Sequence, residues 1–165
     1  ESYNGFECTR TETGFYDTRV KAAAGLTALE SREHPGDVEN ISMSPRVPLV
    51  IRAVQERNGS VTLSVDETYA QGGRVGIALY EISKITNYMF GINTSGAVLN
   101  ESLSDRRPAV TCADVTPRHA VIRLQAGNTT QITEDAGCIT ITASSSPDVI
   151  RAADRLVYGL LGIIE

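Results

Sequence analysis

The chain has 165 residues, 41% of them hydrophobic and 21% charged, with a net charge of −5 and an isoelectric point near 5.1. That apolar content suffices for one domain with its own core, without a metal or a dense disulfide framework. The mildly acidic balance argues against a nucleic-acid partner, and no apolar run approaches the about 20 residues that a membrane-spanning helix needs.

Residues 1–37 form a polar segment rich in Thr and Gly, expected as an N-terminal arm or an extra strand. It opens at Glu1 without an initiator methionine, as a chain trimmed of a signal peptide would. At its centre Val20, Ala22, Ala24, Leu26 and Ala28 alternate as in a strand, although alanine and leucine also favour helix and Gly25 interrupts the run. His34-Pro35-Gly36-Asp37 reads as a turn.

Residues 38–165 are expected as a single α+β domain. Pro48-Leu49-Val50-Ile51-Arg52-Ala53-Val54 reads as a strand, Asn58-Gly59 as a hairpin turn and Ser60–Val65 as the returning strand. After Gly72-Gly73 the apolar positions Val75, Leu79, Ile82, Ile85 and Met89 recur at three and four, which places them on one face of a helix ending near Gly91. The polar stretch from Asn93 to Arg107 is expected as an exposed crossover.

A second pass through the same order begins near Pro117. His119 to Leu124 shares Val-Ile-Arg with Leu49 to Arg52, and Gly137 to Thr142 echoes Gly59 to Ser64. The closing helix starts at Ser146 as N-cap with Pro147 behind it, and buries Val149, Ala153, Leu156, Val157, Leu160 and Leu161. Arg151, Asp154 and Arg155 then fall on its polar side as surface charge. Leu161-Gly162-Ile163 repeats the end of the first helix, Phe90-Gly91-Ile92. The expected architecture is an antiparallel-rich sheet with two amphipathic helices on one face, built from two β-β-α repeats over 47–92 and 117–163. A mostly-β sandwich is the alternative.

Five of the seven asparagines open the acceptor pattern for N-linked sugars: Asn40, Asn58, Asn93, Asn100 and Asn128. With the chain's content of Ser and Thr, about one or two matches would arise by chance. The excess points to an exported glycoprotein, and the same residues also suit turns, which equally places them on the surface. Of the three cysteines, Cys112 and Cys138 lie near β-branched runs and are the expected disulfide pair, an oxidised bond that fits an extracellular setting. Cys8 is left over.

Catalytic signals are sparse. His34 and His119 belong to no metal-spaced pair, and no Gly-x-Ser-x-Gly elbow is present. A nucleophile made of Cys8 or Cys112 with His119 as base has no support in the neighbouring sequence. Gly72-Gly73-Arg74-Val75-Gly76 opens a helix where backbone amides can meet an anion, but it lacks both dinucleotide and Walker patterns. The acidic pairs Asp66-Glu67 and Glu134-Asp135 lack the alternating ligands of a calcium loop. No cofactor or metal is therefore expected. With no Trp and few aromatic residues, a sugar-binding face is not signalled either.

These features point to a non-enzymatic module of the cell surface or extracellular space, a glycosylated structural subunit of a self-assembling surface structure or filament. Its partners would be copies of itself or other surface proteins, with the segment from Val20 to Leu29 adding a strand to a neighbour's sheet. The alternatives are a secreted monomeric binding protein or inhibitor, and a small secreted enzyme whose residues meet only in space.

Overall fold

The computed structural model describes residues 1–22, 25–66, 69, 72–98 and 109–165. The chain is an α+β protein with two sheets and the helices between them. Strands β1 (Ser2–Tyr3), β2 (Phe6–Arg10), β3 (Tyr16–Ala22) and β4 (Gly25–Ser31) form an antiparallel sheet in sequential order. A single turn α1 (Pro35–Val38) and the short β5 (Ser42–Met43) lead to α2 (Val47–Glu56), β6 (Ser60–Val65) and α3 (Gly73–Ser83), which continues as a π-helix over Lys84–Met89. Then follow β7 (Asn93–Val98), a 3-10 turn at Cys112–Asp114, β8 (His119–Ala126), β9 (Gln131–Asp135), β10 (Cys138–Ala143) and α4 (Ser146–Leu160).

The second sheet has the order β5-β9-β10-β8-β6-β7 and is mixed. Four of its pairings are parallel and only β9 with β10 is antiparallel. One face carries Val61, Leu63, Val65, Ala120, Ile122, Leu124, Ile139 and Ile141, which α2, α3 and α4 cover. The other face is polar, and Thr62, Ser64 and Thr140 are buried there. Residues 109–115 lie against this side, held by the Cys112–Cys138 disulfide, with Cα atoms 5.4 Å apart, and by a 2.6 Å hydrogen bond from Ser64 Oγ to the Val110 carbonyl.

Two expectations are corrected here. The segment Pro48–Val54 is a helix, not a strand. Val47, Ile51 and Val54 recur at helical spacing and are buried, while Arg52, Gln55 and Glu56 are exposed. Proline near the helix start leaves no ladder bond missing, and this packing outweighs the β-branched content that favoured a strand. Asn58-Gly59 accordingly ends a helix instead of turning a hairpin. Asn58 sits at φ 49°, its N–H donates to the Gln55 carbonyl, and the Gly59 N–H donates to Val54, the paired bonds of a Schellman stop. Gly59 lacks a side chain for a separate reason, because a Cβ there would collide with the Arg118 carbonyl. The proposed repeat thus aligns helix α2 with strand β8, and β6 is a central strand flanked by parallel neighbours.

The other helices match their sequence signals. Gly91 and Gly162 both take left-handed φ, and Ile92 and Ile163 just beyond them are buried. Ser145, one residue before the expected N-cap, caps α4 by accepting from the Asp148 N–H. Within residues 1–37, expected as an arm or an extra strand, β1 to β4 form a four-stranded sheet. Its inner side, Val20 and Leu29, packs on Ile85 of the π-helix and on Val157 and Tyr158 of α4.

Because the disulfide closes a long loop over the polar face, replacing both Cys112 and Cys138 with serine is expected to lower unfolding free energy by about 2–4 kcal/mol. A urea titration checks this, with a lower midpoint expected and, because the unfolded chain without the cross-link exposes more surface, a steeper slope.

Candidate interaction surface

Of the five acceptor asparagines, Asn40, Asn58, Asn93 and Asn128 are exposed, and Asn100 lies outside the described residues. Asn40 follows α1, Asn58 stops α2, Asn93 opens the edge strand β7, and Asn128 sits in the β8–β9 connection. The hydroxyl two residues on is engaged in three cases: Ser60 Oγ meets His119 Nδ1 at 2.8 Å, Ser95 Oγ meets Thr62 Oγ1 at 3.3 Å, and Thr130 Oγ1 accepts from the Ser144 N–H at 3.1 Å.

The candidate chemical groups disperse. Cys112 is spent in the disulfide and lies in a 3-10 turn instead of on a strand, and Cys8 is buried in the first sheet 3.4 Å from Thr18 Oγ1. The His119 ring nitrogens are taken by Ser60 Oγ and Thr62 Oγ1. His34 caps α1 through Nδ1 and packs edge-on against Tyr3 and Tyr16. Gly72 is the N-cap of α3, and Arg74 turns aside to Ser146 Oγ at 3.5 Å. Glu134 is tied to the Gly137 N–H and to Arg46, and Glu67 lies outside the described residues.

The sequence reading missed the inside of α4. Asp154 and Arg155, expected on a solvated face, are 0% and 4% exposed. The reason is the second sheet: a helix covered on one side only shows one apolar stripe, but α4 is covered on both, so residues 152–159 are all buried. Arg155 donates to the Ile41 carbonyl at 3.0 Å and to that of Glu165 at 3.3 Å. The Asp154 Oδ2 accepts from the backbone N–H groups of Arg32 and Glu33, at 3.0 and 2.8 Å, just past the end of β4. Tyr158 donates to the Glu33 carbonyl at 2.6 Å and contacts Ser31 Oγ. A helix of the inner layer therefore pins the chain where β4 ends.

Further along the same strand the backbone is open. Lys84 Nζ donates to the Glu30 carbonyl at 2.7 Å and pairs with the buried Glu81 at 2.6 Å. In an antiparallel strand a residue's N–H and C=O point the same way, so Glu30, Ala28 and Leu26 direct theirs away from β3. No other described strand pairs with this edge. Leu26 is 70% exposed, and Tyr80 and Tyr88 flank Lys84 on the neighbouring helix at 62% and 82%. The result is a strand edge with an exposed leucine near its start and, near its end, a lysine flanked by two exposed tyrosines. A single lysine covers one of its carbonyls, a common guard on sheet edges.

No family model, curated protein or solved structure matches the chain. The candidate surface therefore rests on its own geometry.

Burial, reinforced by Glu81, raises the Asp154 carboxyl to about 7 against the pull of its two backbone donors. An unfolded aspartate titrates near about 4, so the folded state holds this proton more tightly, and ionisation costs stability as pH rises from about 4 to about 7. Asp154→Asn keeps an acceptor for both N–H groups and removes the charge. Urea midpoints at pH 5 and pH 8 are expected to converge in this variant relative to the parent protein, and an unaltered pH dependence would count against a buried carboxyl.

Proposed function

We propose that the chain is a non-enzymatic interaction module of the cell surface or extracellular space, a glycosylated subunit of an assembly built through strand edges. The observation that carries this reading is the open edge of β4. Proteins generally cover, shorten or heavily charge such an edge because it is a template for pairing with another chain. Here it runs from Gly25 to Ser31 with Leu26 bare and, among the described residues, Lys84 hydrogen-bonded to one of its carbonyls. Strand addition draws its affinity from main-chain bonds and needs no deep pocket or catalytic cluster.

The compartment is supported by the disulfide and by four acceptor asparagines standing on the surface. A sugar on Asn40, Asn58, Asn93 or Asn128 would extend into solvent without disturbing either core. None of the four lies on β4, so glycans leave the pairing edge clear.

Intact-mass and glycopeptide analysis of protein from its native source tests the compartment. Hexose-bearing peptides covering Asn58 or Asn128 are expected, and unmodified asparagine at all five positions contradicts an exported glycoprotein.

A further inference from the structure

Resting on the reading of the chain as an interaction module, we infer that the partner at the β4 edge is a second copy of this chain, joined β4 to β4 in antiparallel register about Ala28. Ala28 is the midpoint of Gly25–Ser31, so a two-fold axis there overlaps the whole strand with its mate. The three residues with outward backbone groups then meet in matched pairs: Leu26 with Glu30 of the second copy, Ala28 with its own equivalent, and Glu30 with Leu26. Each pair exchanges two N–H···O bonds, about six in all. The small side chain at the axis lets the strands approach to ordinary sheet spacing.

Charge selects this register. Across the hairpin, Lys21 lies beside Leu26 and Asp17 beside Glu30, so the outer face is basic toward the hairpin tip and acidic toward its base. Antiparallel pairing about Ala28 puts tip against base: Lys21 and Leu26 of one copy in line with Glu30 and Asp17 of the other. Opposite charges in such rows are favourable and like charges are not. The central row then ends in Arg19 of both copies, three strand spacings apart, whereas a register centred on Thr27 would put Lys21 in line with Arg19 of the second copy in two rows and with Glu30 in none, and one centred on Leu29 would leave Leu26 bare. In the pair, the Leu26 N–H of the second copy takes the Glu30 carbonyl from Lys84, which keeps Glu81. The two four-stranded sheets become one, and the exposed Leu26 is covered.

Two variants test the geometry. Ala28 and its mate form a hydrogen-bonded pair with Cα atoms about 5.5 Å apart, within disulfide range. Ala28→Cys is therefore expected to give a covalent dimer under mild oxidation, whereas Thr27→Cys is not. Ala28→Pro removes an N–H that the chain's own ladder does not use, and at an edge position this leaves the fold intact. Its circular dichroism, and its thermal midpoint in solution dilute enough for the parent to be monomeric, should match the parent protein, while sedimentation velocity at higher concentration should show the dimer of the parent replaced by monomer. The charge swap gives a third arm: Lys21→Glu weakens the dimer and Lys21→Glu with Glu30→Lys restores it. A parent protein that stays monomeric at every concentration, with Ala28→Cys remaining a free thiol, overturns self-pairing. In that event, exclusion of the Ala28→Pro variant from the native assembly leaves the interaction-module reading standing with a different partner, and normal incorporation of it removes that reading too.

Discussion

The structure depends on burying α4 from both sides. Val149, Ala152, Ala153 and Leu156 face the six-stranded sheet, and Val157 and Tyr158 face the N-terminal one. A helix so enclosed cannot spend its polar residues on solvent, and each must find a partner inside. Asp154 takes two backbone N–H groups, Tyr158 a carbonyl, and Arg155 two carbonyls. Those bonds are directional where hydrophobic contact is not, so they decide where the N-terminal sheet sits as well as that it sits. Asp154 Oδ1 has no hydrogen-bond partner among the described residues, and burial, with Glu81 nearby, raises the carboxyl to about 7.

This arrangement also explains why β4 is exposed in the way it is. Its C-terminal end is fixed by α4 through Ser31, Arg32 and Glu33, and its inner side is buried at Leu29. Its other half, Gly25 to Ala28, is exposed but paired with β3 along its length, so the edge is a formed strand, not a loose arm. A preordered strand loses less conformational entropy on pairing than a disordered segment would. Rigidity and openness together are what a pairing surface requires.

Much of this was legible in the residues and some was not. The π-extended α3 and α4, with apolar positions at three and four and glycine stops, read clearly, as did β6, β8 and β10 and the cysteine pair. The run from Val20 to Ala28 is strand on both sides, but as two strands, with Val20 of β3 inward, Leu26 and Ala28 of β4 outward, and Ala24 outside the described residues. What failed was α2, where Val and Ile content spoke for a strand while Val47, Ile51 and Val54 carried a helical period. Asn58-Gly59 suits a hairpin turn and a helix stop equally, since both need a left-handed residue, and the helical packing of Val47, Ile51 and Val54 before it decides between them. The buried polar residues of α4 were hidden for a different reason. Nothing local distinguishes an aspartate in water from one bonded to a chain segment more than a hundred residues away. The open edge of β4 is likewise a property of sheet order, which local patterning does not carry.

The central claim is that β4 is a fixed strand whose outward backbone is free in a single chain and taken up between chains. Amide hydrogen exchange measured across a protein dilution series tests it most directly. Thr27 and Leu29, whose N–H groups face β3, should exchange slowly at every concentration. Leu26 and Ala28 should exchange fast in dilute solution and become protected as concentration rises. Fast exchange at Leu26 and Ala28 throughout, or loss of protection at Thr27 and Leu29 together with them, would contradict it.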